Sequence, residues 1–434
     1  MTISMGLWAL IGVMSAGMIM RASIAFSMMG GGIAYLIVSK QDIGLVAEQI
    51  LNGLFNSYVL LAVPLFILAA NIMNAGTISE RLFDFCAIFV GRMRGGLAQI
   101  NVLVSIIFSG MSGSAIADAA GPGLVTIRQM EKRPGYTPGF AGAVVATAST
   151  IGPIIPPSIP MVIYALVSGA SVGALFIGGV IPGLLMALSL MITIQVIAVR
   201  QKMPREAPVP RSQYLGLLWR GSLPLTIPVV LLTGIYSGAF TPTEAAGVAA
   251  IQALILASVV YRALPFKRLV QVFIESARSS ATVTMIIAGA FILNYAFTAE
   301  GVPASLANWV AGIHLSQVQF LLLVNVVFLV LGCFLDTAVM LLVFVPMLIP
   351  TAQMLHVDLV HFGVVVVVNM MIGLVTPPFG MLFFVINALA GIPIKDMLKE
   401  GWVFIVALLC VLFLITLVPD IVLWLPRTMG YKAG

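Results

Sequence analysis

The stretch Ser109–Gly123, SGMSGSAIADAAGPG, decides how this chain is to be read. It holds four glycines, three serines and an aspartate, and it lies between the apolar runs NVLVSIIF and LVTIRQM. A lipid-exposed segment could not carry it. With no water to satisfy the backbone, non-helical chain at membrane depth survives only inside protein or along a wet cavity. The stretch therefore reads as a break with a purpose.

The rest of the chain makes the bilayer its solvent. Of 434 residues, 61% are hydrophobic and only 8% are charged, where a soluble domain carries roughly 25% charged residues. A soluble fold of this size could not hide so much apolar surface. Long apolar runs with short polar links predict an all-α polytopic membrane protein, since a barrel would alternate in segments of about ten residues. There is no GxxxxGK[ST] phosphate loop, no HExxH and no nucleophile–base set, so the chain is not expected to be an enzyme. The net charge of +6 is a topology signal and not a nucleic-acid footprint. Cys86, Cys333 and Cys410 stand in apolar contexts that suit packing, and His314, His356 and His361 have no metal-ligand spacing and suit loops. The amino-terminal MTISMGLWALIGVM lacks the basic start and cleavage site of a secretory signal and reads as a first membrane helix.

Basic residues mark the cytoplasmic side. They cluster at Arg92 and Arg94, at Arg128, Lys132 and Arg133, in the polar link 200–213, and at Arg262, Lys267 and Arg268. Residues 97–127 therefore have both ends in the cytoplasm, yet they are too few for two spans of about 20 residues each. They predict a re-entrant hairpin with the glycine-serine stretch at its tip. The following segment, 140–168, contains STIGPIIPPSIP, with four prolines between Pro153 and Pro160. Each proline removes a donor and clashes one turn back, so this helix must unwind and restart. A discontinuous helix beside a re-entrant hairpin is the arrangement of an ion and substrate site in secondary transporters.

The same order recurs. IGPIIPPSIPMV (151–162) overlays IGLVTPPFGMLF (372–383), with Pro156–Pro157 and Pro377–Pro378 in register 221 residues apart. A second hairpin is expected over 316–351 and a second broken helix over 358–391. The flanks of this hairpin, AGIHLSQ and TAQMLHVD, contain no lysine or arginine, so it should enter from the opposite side, and the repeats are inverted. The division expected is scaffold helices and a first arm in 1–75, the first repeat in 76–199, the link 200–213, a scaffold pair and arm in 214–280, and the second repeat in 281–434. Arg427 and Lys432 fit poorly with a carboxyl terminus outside, and the first 38 residues are long for one helix and short for two.

Free carbonyls and carboxyl-terminal half-helix ends can hold a hard cation, and amino-terminal ends can face a carboxylate. Oxygens available to complete such a shell are Ser109, Ser112, Ser114, Asp118, Ser149, Thr150 and Ser158 in the first half. In the second they are Asp336, Thr337, Asn369 and Thr376. Asp118 and Asp336 stand out because an ionisable group at membrane depth is costly. The bland reading of either is a helix cap. TPTEA at Thr241–Ala245 reads as a helix start, and Asn71 and Asn74 read as caps.

Taken together, PLFILAANIMNAG, RGGLAQINVLVSIIFSGMSGSAIADAAG, ASTIGPIIPPSIPMVIY, FTPTEAAGVA and GLVTPPFGM give nearly the whole chain a likeness. It resembles the large membrane subunit of tripartite ATP-independent periplasmic (TRAP) transporters. The resemblance implies an elevator-type, sodium-driven importer of organic acid anions in the bacterial inner membrane, with no organic cofactor. Two hairpins and two broken helices would move against a scaffold of the remaining helices. The implied partners are a periplasmic substrate-binding protein, a small four-helix membrane subunit and membrane lipid. Carried over, one sodium region falls on Ser109, Ser112, Gly113, Ser114 and Asp118 with Ser149, Gly152 and Pro156. The other falls on Gly332, Asp336 and Thr337 with Gly373, Thr376 and Pro377. Ser112, Ser114, Ser158, Thr376 and Gly380 would meet the anion. The sequence departs from the family pattern at Asn71, where many members have glutamate, and at AGPG (120–123), where many have AALG. Proton coupling through Asp118 or Asp336 is the alternative. A channel would need a continuous polar stripe in place of two localised breaks.

Overall fold

The computed structural model describes residues 4–55, 58–76, 78–205 and 210–431, apart from the side chains of Arg211, Gln213 and Arg220. The middle of the polar link, 206–209, and Lys432 lie outside the described residues. The described chain is helical, with one isolated bridge between Arg94 and Arg205.

Two helices, α1 (Met5–Ile19) and α2 (Ile24–Val38), form an antiparallel pair. Each has 15 residues, so the opening segment is two short helices and not one. Next come α3 (Leu45–Phe55), α4 (Ala62–Ala75) and α5 (Ile78–Val90). The first hairpin runs from α6 (Gly96–Ser112) through the one-turn α7 (Ala115–Asp118) and a π turn, Ala119–Gly123, to α8 (Leu124–Glu131). A broken helix follows as α9 (Pro138–Ser149) and α10 (Ile159–Ser168), and then α11 (Val172–Arg200). Beyond the polar link lie α12 (Arg211–Tyr236) and α13 (Pro242–Ile255).

The second half begins with α14 (Phe266–Ala299) and α15 (Val302–Gly312). Its hairpin is α16 (Gln317–Gly332), α17 (Thr337–Val339), a π turn at Met340–Phe344 and α18 (Val345–Met354). Then come the broken pair α19 (Leu359–Gly373) and α20 (Met381–Ala390), α21 (Ile394–Leu417) and the amphipathic α22 (Asp420–Thr428). From α6 to α11 the order repeats from α16 to α21, with corresponding starts 221 or 222 residues apart. Even the π turns keep this spacing. They belong to the repeat, and Pro122 is not their cause, because MLLVF at Met340–Phe344 has no proline.

Seven helical stretches are long and apolar enough to cross a membrane among the described residues, from Tyr58–Ala75 to Ile394–Leu417. The returning arm of the second hairpin, Thr337–Met354, is one of the seven, whereas α6, α16 and the halves of the broken helices are shorter, at 10–17 residues. Proline does the breaking: Pro153, Pro156 and Pro157 fall in the gap 150–158, and Pro377 and Pro378 in the gap 374–380. Hydroxyl caps restart the chain. Thr137 Oγ1 accepts from Phe140 N at 3.1 Å, and Ser158 Oγ accepts from Met161 N at 3.1 Å.

Packing gathers many of the helices into two groups, which also meet where α5 packs on α6 and α15 on α18. Helix α4 lies on α13 and α14, and α2 lies on α1 and α14. Asn71 Nδ2 ties α4 to α14 by donating to Ser276 Oγ at 2.9 Å. The other group contains both hairpins and both broken helices, and it also takes in α11 and α21. Helix α9 packs on α21, α19 packs on α11, and α11 packs on α21. Helices α11 and α21, which the expected division left with the scaffold, pack directly on the broken helices. The tilted contact of Phe140 with Phe404, 6.0 Å between centroids, joins α9 to α21. A buried network does the same for the second hairpin: Asn369 Nδ2 donates to Asn325 Oδ1 at 2.9 Å, and Asn325 Nδ2 donates to Thr416 Oγ1 at 2.8 Å.

Candidate functional site

Each hairpin tip meets the break of its own repeat. In the first half, α6 ends at Ser112, and Gly113 takes a left-handed turn at φ 59°. A side chain there would be strained, and its Cβ would overlap the Pro157 carbonyl oxygen. Across the junction, a Cβ on Gly152 would come within 3.3 Å of the Ser114 carbonyl. Glycine at both positions lets backbone meet backbone. Pro156 and Pro157 supply carbonyls at this contact without bringing N–H donors.

Not every expected oxygen is free. Ser114 Oγ caps α7, accepting from Ala117 N at 3.3 Å. Ser158 Oγ caps α10 and donates to Pro153 O. Ser109 Oγ donates to Ser105 O, and Thr150 Oγ1 donates to Thr147 O at 2.6 Å. By contrast, Ser112 Oγ, Ser149 Oγ and Asp118 Oδ1 are buried and have no hydrogen-bond partner among the described residues. Asp118 is fully buried, and its other oxygen accepts from Ser105 Oγ at 2.7 Å. The Ser149 hydroxyl, at the end of α9, faces the same carboxyl. Buried polar atoms are almost always paired, and Ser112 Oγ, together with the facing Ser149 hydroxyl and Asp118 carboxyl, leaves oxygen lone pairs open to a ligand. Oxygen atoms alone, one of them carrying charge, make a donor set for a hard cation. Ser105 joins this set although the sequence reading left it out. It lies one turn before Ser109, and the apolar run around it hid it.

The second junction has the same plan and different chemistry. Gly332 at the tip lies against Gly373 at the break, and a Cβ on Gly373 would stand 3.1 Å from Gly332 Cα. Cys333 Sγ donates to Pro377 O at 3.2 Å. Asp336 caps α17, its Oδ1 accepting from Ala338 N at 2.8 Å. By the spacing of the repeats, Asp336 therefore answers to the cap Ser114 and not to Asp118, whose counterpart is Val339. The two aspartates that stand out in the sequence are thus not counterparts in the repeat. Asp336 is only partly buried and lines a cavity of about 240 Å³ with Met18, Ala22, Ile24, Phe334, Leu335 and Val339. Thr337 opens α17, Thr376 Oγ1 donates to Ile372 O at 2.7 Å, and Gly380 restarts the chain at φ 55° before α20. Asn369 donates its amide to Asn325, while its Oδ1 is buried without a hydrogen-bond partner among the described residues.

Other expectations change with the structure. His361 lies in the first turn of α19, buried with Nε2 2.8 Å from Ile415 O, and not in a loop. Cys410 is exposed, unlike buried Cys86 and Cys333. Asn71 and Asn74 do not cap: Asn74 Nδ2 donates to Ala117 O of the first hairpin at 3.2 Å. Thr241 and Glu244 do form a capping box. Arg427 pairs with Asp420 at 2.8 Å, which offsets the basic charge that fitted poorly in the tail. A larger cavity, about 740 Å³, opens at the base of the second hairpin beside His356, Asp358 and Tyr431, away from both junctions. Among the described residues no cluster of His, Cys, Asp or Glu could hold a transition metal.

Two helical repeats, each with a hairpin tip against a proline-broken helix, define a multi-pass membrane protein of the secondary-transporter class. The comparisons carry this to a family. The family model described as "Tripartite ATP-independent periplasmic transporter, DctM component" matches residues 11–421. The chain is 38% identical over 423 residues to a sialic acid TRAP transporter large permease protein of Vibrio cholerae, covering 97% of this chain and 98% of that protein. It is also 38% identical to a C4-dicarboxylate TRAP transporter large permease protein of Pseudomonas aeruginosa, over 93% and 94% of the two chains. A 2,3-diketo-L-gulonate TRAP transporter large permease protein of Escherichia coli is 32% identical, over 95% and 97%. The crystal structure of the YdaH transporter of Alcanivorax borkumensis shares the fold, with a TM-score of 0.60 at 14% identity, covering 89% of this chain and 88% of that one. The chain belongs to the DctM family of TRAP transporter large permease proteins and is a transport subunit, not an enzyme.

Proposed function

We propose that this protein is the membrane-embedded subunit of a sodium-coupled importer of organic acid anions, working by an elevator movement in the bacterial inner membrane. The observation that carries it is the first junction, where Ser112 Oγ, Ser149 Oγ and Asp118 Oδ1 are buried without partners beside the carbonyls of an unwound helix. Sodium, as cargo, suits that donor set. Relatives named for sialic acid, C4-dicarboxylates and diketo-L-gulonate support a carboxylate-bearing substrate. The amino ends of α7, α10, α17 and α20, near Ser112, Ser114, Ser158, Thr376 and Gly380, are where the anion would be met.

The hairpins are read as re-entrant and the repeats as inverted. Arg94 and Arg205 are joined by a backbone bridge, which supports placing the base of the first hairpin and the polar link together at the basic, cytoplasmic face. The base of the second hairpin, where Gln317 Nε2 donates to His356 O, has no lysine or arginine in its flanks. The body that moves comprises both hairpins, both broken helices, α11 and α21. Family membership supports two partners, a periplasmic binding protein that delivers the anion and a small membrane subunit that braces the scaffold. Proton coupling is the second reading, favoured by the burial of the Asp118 carboxyl. Uptake into proteoliposomes containing both membrane subunits, with loaded binding protein outside and pH clamped, separates the two. Uptake should require an inward sodium gradient. Equal uptake in sodium-free buffer driven by a proton gradient would overturn sodium coupling.

A further inference from the structure

Each hairpin has a proline in its returning arm, and each proline costs the backbone a donor. Pro122 has no N–H for Asp118 O, and Pro346 has none for Leu342 O. Both sites adjoin a π turn, Ala119–Gly123 in one hairpin and Met340–Phe344 in the other. Beside each, an asparagine from the other group of helices donates to the hairpin backbone, to the neighbour of the freed carbonyl in the first hairpin and to the freed carbonyl itself in the second. Asn74 Nδ2, on α4, reaches Ala117 O at 3.2 Å. Asn294 Nδ2, on α14, reaches Leu342 O at 2.9 Å. The first contact is close: a Cβ on Gly121 would overlap Asn74 Oδ1. Helices α4 and α14 are themselves tied through Asn71 and Ser276, so the two asparagines stand on one body and grip another.

We propose that Asn74 and Asn294 are paired latches that hold the mobile body in the position seen here by capturing backbone carbonyls of the two hairpins. This rests on the elevator reading. Hydrogen bonds between two bodies that slide must break on each cycle, and these two are made at once. They weight the equilibrium toward this position without touching ion or substrate. A neutral hydrogen bond of this kind is worth about a fivefold change in an equilibrium constant.

The test is a distance measurement by pulsed EPR on the assembled transporter in lipid. Spin labels are placed on cysteines replacing exposed Ile43, in the scaffold, and Gln353, at the end of α18, with Cys410 replaced by serine. Asn74→Ala and Asn294→Ala should each lower the population at the distance seen here by about fivefold relative to the second position. Gly121→Ala disturbs the first latch from the hairpin side, and combined with Asn74→Ala it should add nothing further. A two-position distribution that is the same in all these variants overturns the latches and leaves the elevator standing. So does full additivity of Gly121→Ala and Asn74→Ala. A single unchanging distance in every protein, with or without sodium and loaded binding protein, overturns the elevator and the latches with it.

Discussion

Asp118→Asn separates an ion site from a structural carboxyl by the sign of two effects. The side chain is fully buried, one oxygen takes the Ser105 hydroxyl at 2.7 Å, and the other has no partner among the described residues. Without a cation, this is an under-satisfied buried carboxyl, and its replacement by an amide should leave stability unchanged or raise it. With a cation, the carboxyl is one half of a buried ion pair, and losing one partner of such a pair costs roughly 3–5 kcal/mol. Sodium binding should then weaken by about a hundredfold to a few thousandfold. The assay is the thermal midpoint of the purified protein in sodium against potassium buffer. A ligand at about a hundred times its Kd stabilises by about 2.7 kcal/mol, a rise of roughly a few degrees for the wild type. Asp118→Asn should match the wild type in potassium and lose the rise in sodium. If the variant instead keeps the full sodium-dependent rise, Asp118 is not an ion ligand and the reasoning from orphaned oxygens fails.

The neighbouring hydroxyls divide by whether they are already engaged. Ser149→Ala removes a hydroxyl that faces only the Asp118 carboxyl, so it should change the thermal midpoint in potassium little while raising the sodium concentration for half-maximal uptake about tenfold or more. Ser158→Ala removes the cap of α10 and should lower stability by about 1 kcal/mol, with a much smaller change in sodium dependence, read by the same two assays. Gly113→Ala forces a Cβ into the Pro157 carbonyl at a left-handed turn. It should cost at least about 1–2 kcal/mol in thermal stability and abolish uptake. Asn325→Ala unties Asn369 and Thr416 and should cost about 1–3 kcal/mol. The loss would appear as earlier thermal unfolding in sodium and potassium alike.

The breaks were legible because proline and glycine act locally. STIGPIIPPSIP cannot be a continuous helix in any surroundings, and SGMSGSAIAD cannot be a lipid-facing one. Register was legible only where a rigid marker repeats. The proline pairs aligned without a gap, whereas the two tips differ in every polar residue, so the Ser114–Asp336 correspondence was missed. The π turns left no trace in the sequence, since they shift hydrogen bonds by one residue without needing a special side chain. Asn294 and Ser105 carry no local signal either. Their roles come from partners that folding brings to them, Leu342 O and Asp118. His361, buried against Ile415 O, escaped for the same reason. The two short opening helices were ambiguous because each falls below the length that marks a span.

The most direct test of the account is to count ions with substrate. Proteoliposomes containing the transporter are given loaded binding protein and radiolabelled sodium outside only, as an inward gradient with pH clamped, and the internal sodium label is followed against internal substrate. The account predicts that sodium enters in fixed proportion to the anion, and that Asp118→Asn lowers both together. Substrate that enters while the sodium label stays at its background rate would contradict it.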